Sequence, residues 1–195
     1  MLRELLPDGD LRAQGIDAIA YANGPGSFTG LRIAASVVQG LAYTSNLPAI
    51  PISTLACQAQ TALRTKVVEE GDLVLSMLDA RINEVYWALF SFQNELATLS
   101  QGPAVCVPQA VCLDGAVTRL KGIGSGFRYL ELLPQEIAVA VSVIDADLLP
   151  SARDLIPLAV REYQSGNTQQ ASEVLPVYVR EEISWKKIPQ QGKSQ

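Results

Sequence analysis

The sequence predicts an α/β fold with at least two layers of secondary structure. Three observations lead there. An apolar run at residues 16–22 passes through a glycine-proline turn into a helical pattern at residues 28–43. Residues 73–92 alternate in the manner of two strands joined by a short turn, and strand-like and helical patterns then continue to alternate toward the C-terminus. Finally, 48% apolar and 18% charged residues over 195 positions suit a buried core and leave little room for long disordered segments.

Residues 1–8 read as the last turns of a helix, with Leu2, Leu5 and Leu6 at i, i+3 and i+4, ended by Pro7 and Gly9. Residues 16–22 are apolar on both faces, the pattern of an interior strand covered on both sides. In the turn that follows, Pro25 fixes its own φ, and Gly24 and Gly26 permit backbone angles that other residues disfavour. Ser27 or Thr29 is placed to cap the next helix. That helix, residues 28–43, carries two apolar faces. Leu31, Ala34, Ala35, Val38, Leu41 and Ala42 form one, and Gly30, Ile33 and Val37 form the other. Arg32, Ser36, Gln39 and Tyr43 fill a narrow wedge between them. A surface helix ordinarily shows an apolar stripe of about 100°. This one should be buried on two sides, one facing its own sheet and one facing further protein from this chain or another.

Asn46-Leu47-Pro48 closes the helix, and residues 49–52 form a short strand whose Pro51 suits an edge. Ser53 caps a helix running to about residue 63. A second unit begins near Gly71: a strand at 73–78, a turn at 79–83 and a strand at 84–92. Asp79, Arg81 and Glu84 sit together at that turn and read as a hairpin ion pair rather than acid–base machinery. Residues 108–120 read as a helix with Pro108 in its first turn. A second glycine-rich turn, residues 122–126, lacks the spacing of a dinucleotide fingerprint. A strand at 139–144, a helix at 151–163, a polar loop at 166–172 and a strand at 174–179 complete the pattern, before a charge cluster at 180–187 that includes Trp185.

The chain contains no histidine. That removes Ser–His and Cys–His nucleophile pairs and every histidine-ligated metal site, while carboxylate or lysine chemistry and a carboxylate-bound magnesium ion stay open. Cys57, Cys106 and Cys112 are an odd set without C-x-x-C spacing and suit reduced thiols in the cytoplasm. A net charge of −5 argues against a surface built alone for nucleic acid. No run of apolar residues is long enough for a transmembrane helix, and the first residues have no signal-peptide core. Gly24, Gly26, Ser27 and Thr29 form a candidate anion-binding turn, since free N–H groups and the helix dipole converge there. The phosphate lysine of a P-loop is missing, so a tight strand-to-helix connection is the leading reading.

Four blocks stand in order: Gly24-Pro25-Gly26-Ser27-Phe28-Thr29-Gly30-Leu31-Arg32, Ser53-Thr54-Leu55, Asp79-Ala80-Arg81-Ile82-Asn83-Glu84-Val85-Tyr86, and Pro176-Val177-Tyr178-Val179-Arg180 with Trp185-Lys186-Lys187. Together they closely resemble the bacterial glycoprotease-like (Gcp-like, M22-like) family, in its non-catalytic branch. The resemblance implies an actin-like, sugar-kinase-like (ASKHA) fold of two α/β subdomains, residues 1–65 and 66–195. The first would be incomplete, because the family pattern opens with a strand ending Ile-Asp-Thr-Ser and further elements, about forty residues in all. A start codon placed late or a shortened chain would explain this, and the chain as written is expected to expose strand edges and apolar surface and to be poorly stable or to aggregate.

The resemblance further implies a part in making N6-threonylcarbamoyladenosine at position 37 of tRNAs that read codons beginning with A. The family's TsaD subunit would carry the metal and transfer the threonylcarbamoyl group, with TsaE as an ATPase partner. This chain would be a platform with no catalytic residue, metal or cofactor of its own. It would pair with TsaD, form a homodimer in its absence, and make no base-specific contact with nucleic acid. The partner-binding residues expected are Leu2, Leu5, Leu6, Phe28, Leu31, Arg32, Ala35, Val38, Gln39 and Ala42, so that Leu31→Glu or Val38→Glu should break the complex. The competing expectation is a nucleotide-dependent ASKHA enzyme, with Asp79 and Glu84 holding magnesium and the turns at Gly24 and Gly124 holding phosphate. A peptidase reading lacks the histidines that the family's catalytic members use.

Overall fold

The computed structural model describes Glu4, residues 11–115 and residues 119–179. Strand β1 (Ile19–Gly24) pairs in parallel with β2 (Ala49–Ser53), Ile19 opposite Ala49 and Ala22 opposite Ile52. Parallel neighbours need a long crossover, and helix α1 (Phe28–Ser45) supplies it. Helix α2 (Thr54–Arg64) follows β2 directly. A second, mixed sheet has the order β5-β4-β3-β6-β7. Its β3 (Val74–Arg81), β4 (Glu84–Gln93) and β5 (Leu96–Cys106) form an antiparallel meander. On the other side β6 (Leu120–Ile123) and β7 (Val141–Asp145) run parallel to β3. Helices α3 (Gln135–Ala140) and α4 (Leu155–Gln164) complete the elements.

Strand periodicity sets the layers, because successive side chains leave a strand on opposite faces. On β1, Ile19 and Tyr21 meet Ala35 and Val38 of α1, with Ala49 and Val174. Ala18, Ala20 and Ala22 turn the other way, with Ile50 and Ile52 of β2, into the largest core. That core continues through Leu55, Ala59 and Ala62 of α2 and Leu155, Leu158 and Ala159 of α4 to Val74, Ala88, Phe90 and Ile123 of the five-stranded sheet. The far face of that sheet buries Leu75, Met77, Val85, Trp87 and Leu89 against Phe127, Leu133 and Ile137. The order of layers is therefore α1, the β1–β2 pair, α2 with α4, the five-stranded sheet, and a covering layer of 3-10 turns with α3.

Helix α2 is tied to its neighbours by polar side chains as well as by packing. The Gln58 amide donates to the Leu148 carbonyl (2.7 Å) and accepts from Ser76 Oγ (2.6 Å). Gln60 donates to the Glu95 carbonyl and accepts from Ala97 N–H, each at 2.8–2.9 Å. Thr61 Oγ1 and the Arg64 guanidinium both donate to the buried Asp154 carboxylate, Thr61 at 2.8 Å and Arg64 Nη2 at 3.0 Å. A single core thus runs across residue 65, and the C-terminal helix α4 contributes to the cover of the β1–β2 pair.

Both faces of β1 are covered, as its apolar pattern predicts, and among the described residues it pairs with β2 alone. Three other points differ from the sequence expectations. The helix expected over residues 108–120 is a 3-10 turn, Pro108–Ala110, followed by irregular chain. Buried Val111 leaves that turn extended, and the Gln101 side chain grips the next residues, donating to the Cys112 carbonyl (3.0 Å) and accepting from Asp114 N–H (2.8 Å). Residues 174–179 form no strand, and residue 179 is a bend; Val177 N–H donates a 2.8 Å bond to the Asn23 carbonyl. Strand β5 had no counterpart in the sequence reading, because Gly102 and Pro103 interrupt its alternation. Leu2, Leu5, Leu6, Arg180, Trp185, Lys186 and Lys187 lie outside the described residues.

Candidate functional site

The site is built from the glycine turn outward. Gly24 ends β1 at φ +125°, in the region that favours glycine. A Cβ there would stand 2.7 Å from the Val177 carbonyl oxygen and 3.3 Å from Leu31 Cδ1. Glycine is what lets residues 174–178 lie against the turn. Ser27, not Thr29, is the cap: its Oγ accepts from Gly30 N–H at 3.4 Å. At the other end Asn46 adopts the left-handed conformation (φ 49°), and Arg12 donates from Nε to the Ser45 carbonyl (2.8 Å) and from Nη2 to the Asn46 carbonyl.

Between these caps α1 presents two different faces. Ala35, Val38 and Ala42 are buried on β1 and β2, with Leu31, Ala34 and Leu41 half-buried beside them. Gln39 Nε2 donates to the Val174 carbonyl (2.9 Å) and binds the C-terminal segment to the helix flank. On the outer face Ile33 and Val37 are 60% and 50% exposed. Gly30 and Gly40 continue that face, and a Cβ at Gly40 would meet nothing within 4 Å. At the helix start the Arg32 guanidinium lies 3.8 Å over the exposed Phe28 ring and donates from Nε to Tyr178 Oη (3.0 Å). The Tyr178 ring is 5.6 Å from that of Phe28. Residues 174–178 therefore widen the surface carried by α1.

This geometry divides the partner-binding set expected from the sequence. Ala35, Val38 and Ala42 belong to the chain's own core, and Gln39 is committed to Val174; this is a correction, caused by β1 occupying that side of the helix. Phe28 and Arg32 are exposed, with Leu31 half-buried. Leu2, Leu5 and Leu6 lie outside the described residues. The exposed aliphatic residues of α1 are Ile33 and Val37 of the second face. The signal for them was the two-faced helical pattern itself, which does not tell which face turns inward.

The turn residues Gly24, Gly26, Ser27 and Thr29 do stand together at the start of α1, with Gly24 and Pro25 buried and Ser27 and Thr29 exposed. The second glycine turn is a packing device. Gly124 has φ +94°, and a Cβ there would fall 2.4 Å from the Met77 carbonyl oxygen and 2.5 Å from the Gln58 amide. Asp79 meets Arg128 Nη1 at 3.0 Å, with Arg81 Nη1 farther away at 3.9 Å. Its principal partner is thus a residue from the covering layer, which the hairpin sequence could not show. Among the described residues no three histidine, cysteine, aspartate or glutamate side chains converge as a metal ion would need.

Cys57 and Asp154, both buried, have shifted acidity. Burial pushes the Cys57 thiol up to about 12, helped by the charge of Asp154. Burial alone would raise Asp154, but hydrogen bonds from Arg64 and Thr61 and the charges of Arg64 and Arg153 more than offset it, holding the carboxyl below its usual range.

Comparison with known proteins places this architecture. The family model described as TsaD, tRNA N6-adenosine threonylcarbamoyltransferase, matches residues 1–128. The chain is 34% identical over 194 residues to the tRNA threonylcarbamoyladenosine biosynthesis protein TsaB of Escherichia coli strain K12, covering 97% of this chain and 81% of that protein. It is 32% identical over 197 residues to the protein of the same name from Haemophilus influenzae, covering 97% and 80%. Among solved structures, YeaZ from Pseudomonas aeruginosa superimposes with a TM-score of 0.78 at 39% identity, over 91% of this chain and 80% of that one. With a family model over most of its length and relatives above 30% identity across nearly all of it, the chain belongs to the TsaB (YeaZ) family of Gcp-like proteins.

Proposed function

We propose that this chain takes part in tRNA threonylcarbamoyladenosine biosynthesis as a non-catalytic partner subunit, docking the outer face of α1 against a TsaD-type subunit. The observation that carries the reading is the exposed face of a helix whose other face is fully used. Ile33 and Val37 stand open between Gly30 and Gly40, where a facing helix can approach closely. The aromatic–arginine cluster of Phe28, Arg32 and Tyr178 borders that face and supplies residue types enriched in interfaces.

On this reading the transfer to adenosine 37 of tRNAs reading ANN codons belongs to the TsaD-type subunit, with a TsaE-type ATPase joining through the complex. The same outer face serves a homodimer when that subunit is absent, and the setting is the cytoplasm. The ASKHA assignment goes with it: residues 1–65 and 66–195 as two subdomains packed on one shared core. The layered order of α1, sheet, α2 with α4, and sheet supports that assignment, with the Gly24 turn launching α1 rather than holding an anion.

The test is binding of a purified TsaD-type subunit to the wild-type chain and to Val37→Glu. A glutamate at this exposed position leaves folding within about 0.5 kcal/mol. It places an unpaired charge at the centre of the proposed contact, so affinity should fall at least about a hundredfold. Equal affinity for both proteins would remove α1 from the interface.

A further inference from the structure

The flank of α1 beside its outer face carries an arginine that is held in an unusual way. Arg64, Arg128 and Arg161 each turn the guanidinium toward a carboxylate, that of Asp154, Asp79 and Glu162 respectively. Arg32 is held by aromatic rings instead. Its guanidinium carbon lies 3.8 Å from the centre of the Phe28 ring, and its Nε donates to Tyr178 Oη at 3.0 Å. The two rings are 5.6 Å apart, so both contribute to one seat. Tyr178 is anchored in turn, because the Val174 carbonyl accepts from Gln39 and Val177 N–H donates to the Asn23 carbonyl.

This seat uses the face of the guanidinium and its Nε, and leaves the outer edge of the fork open. Neither Nη1 nor Nη2 has a hydrogen-bond or ion-pair partner among the described residues. No residue of α1 is acidic, so the charge is not compensated within the helix. The Nη edge is the part of an arginine that takes a carboxylate or phosphate through two parallel bonds. A guanidinium already seated loses little side-chain freedom when it binds.

Two observations choose between those anions. Ile33 follows Arg32 directly and Val37 comes one turn later, both exposed, so an aliphatic surface adjoins the open edge. A phosphate backbone would meet one cation here and no basic field, on a chain of net charge −5. A carboxylate at the polar rim of an apolar protein interface suits both neighbours. We propose that the Phe28–Arg32–Tyr178 cluster is a carboxylate clamp at the edge of the α1 interface, with Nη1 and Nη2 of Arg32 taking an aspartate or glutamate of the TsaD-type subunit. This rests on the partner reading above and names the chemistry of one contact within it. Tyr178 is then a positioning residue, acting through Arg32.

The test measures calorimetric affinity for a purified TsaD-type subunit at low and high salt, for the full chain as wild type, Arg32→Gln, Tyr178→Phe and Val37→Glu. Arg32→Gln should bind about tenfold or more weakly at low salt, with the gap narrowing as salt rises. Tyr178→Phe keeps the ring but removes the acceptor for Nε, and should bind about threefold more weakly. Full affinity in Arg32→Gln, with Val37→Glu impaired, overturns the clamp and leaves the α1 reading standing. A gap that ignores salt overturns the carboxylate partner. Both clamp variants should melt within about 3 °C of wild type; a larger drop in Arg32→Gln makes the cluster structural and overturns the clamp. Titration with tRNA alone is the remaining arm, and binding that Arg32→Gln weakens would overturn the protein occupant. Failure of the wild-type chain to bind the subunit at all overturns the partner reading, and the clamp with it.

Discussion

At the scale of single residues, Asp154 shows how a polar group is accommodated between the two sheets. Its carboxylate is buried, and it accepts from Thr61 and twice from Arg64, so the charged form is favoured in the folded chain. Because its folded acidity lies below the unfolded value, its contribution is fully present above about pH 4 and is lost as pH falls through the folded value. Asp154→Asn should therefore cost roughly 2–3 kcal/mol near neutrality, less than for a fully buried pair because the Arg64 side chain stays 36% exposed. Melting of both proteins from pH 7 to 3 should show the gap closing as acid is added; a constant gap would assign the effect to packing. Cys57 gives a second check. Its thiol is buried and protonated, whereas Cys112 is exposed, so iodoacetamide should label Cys112 in the native protein and Cys57 only after unfolding. Residues such as these were only partly legible in the sequence. Ser27 and Ser53 announce themselves as caps because their partners lie three residues away. The bond between Asp154 and Arg64, 90 residues apart, and the pairing of Asp79 with Arg128 depend on the fold.

At the scale of elements, the same contrast separates α1 from residues 108–120. Helix α1 was legible because its turn, cap, apolar period and Asn46 stop are all local. Residues 108–114 have a proline start and apolar content, but the Gln101 side chain bonds Cys112 and Asp114 and holds that stretch in an irregular path that helical propensity cannot foresee. Helical angle likewise separates two apolar faces on α1, while tertiary packing decides between them: Ile19, Tyr21 and Val174 take the face of Ala35 and Val38. This yields a sharp contrast between neighbouring residues. Val38→Glu would bury an unpaired charge and should cost several kcal/mol, enough to unfold much of the protein. Val37→Glu should leave the melting curve nearly unchanged. Circular dichroism on the two variants checks the orientation of the helix, and equal destabilisation would refute it.

At the scale of the whole molecule, a single core joins both sheets through α2 and α4, while the outer layer is the two-faced apolar helix α1 on a parallel pair of strands. The α/β class follows from the alternation of elements in the sequence. The five-stranded order, with β6 paired to β3 across an intervening meander, does not, because parallel pairing between distant strands leaves no local mark. The division of labour proposed here follows from the layers: the interior faces of α1, α2 and α4 make the fold, and the outer face of α1 makes the complex. The most direct measurement is the sedimentation of this chain mixed in equal amounts with a purified TsaD-type subunit, for wild type and for Val37→Glu. The account predicts one co-sedimenting complex for wild type and two separate species for the variant, with both chains equally folded. A stable complex formed by Val37→Glu would contradict it.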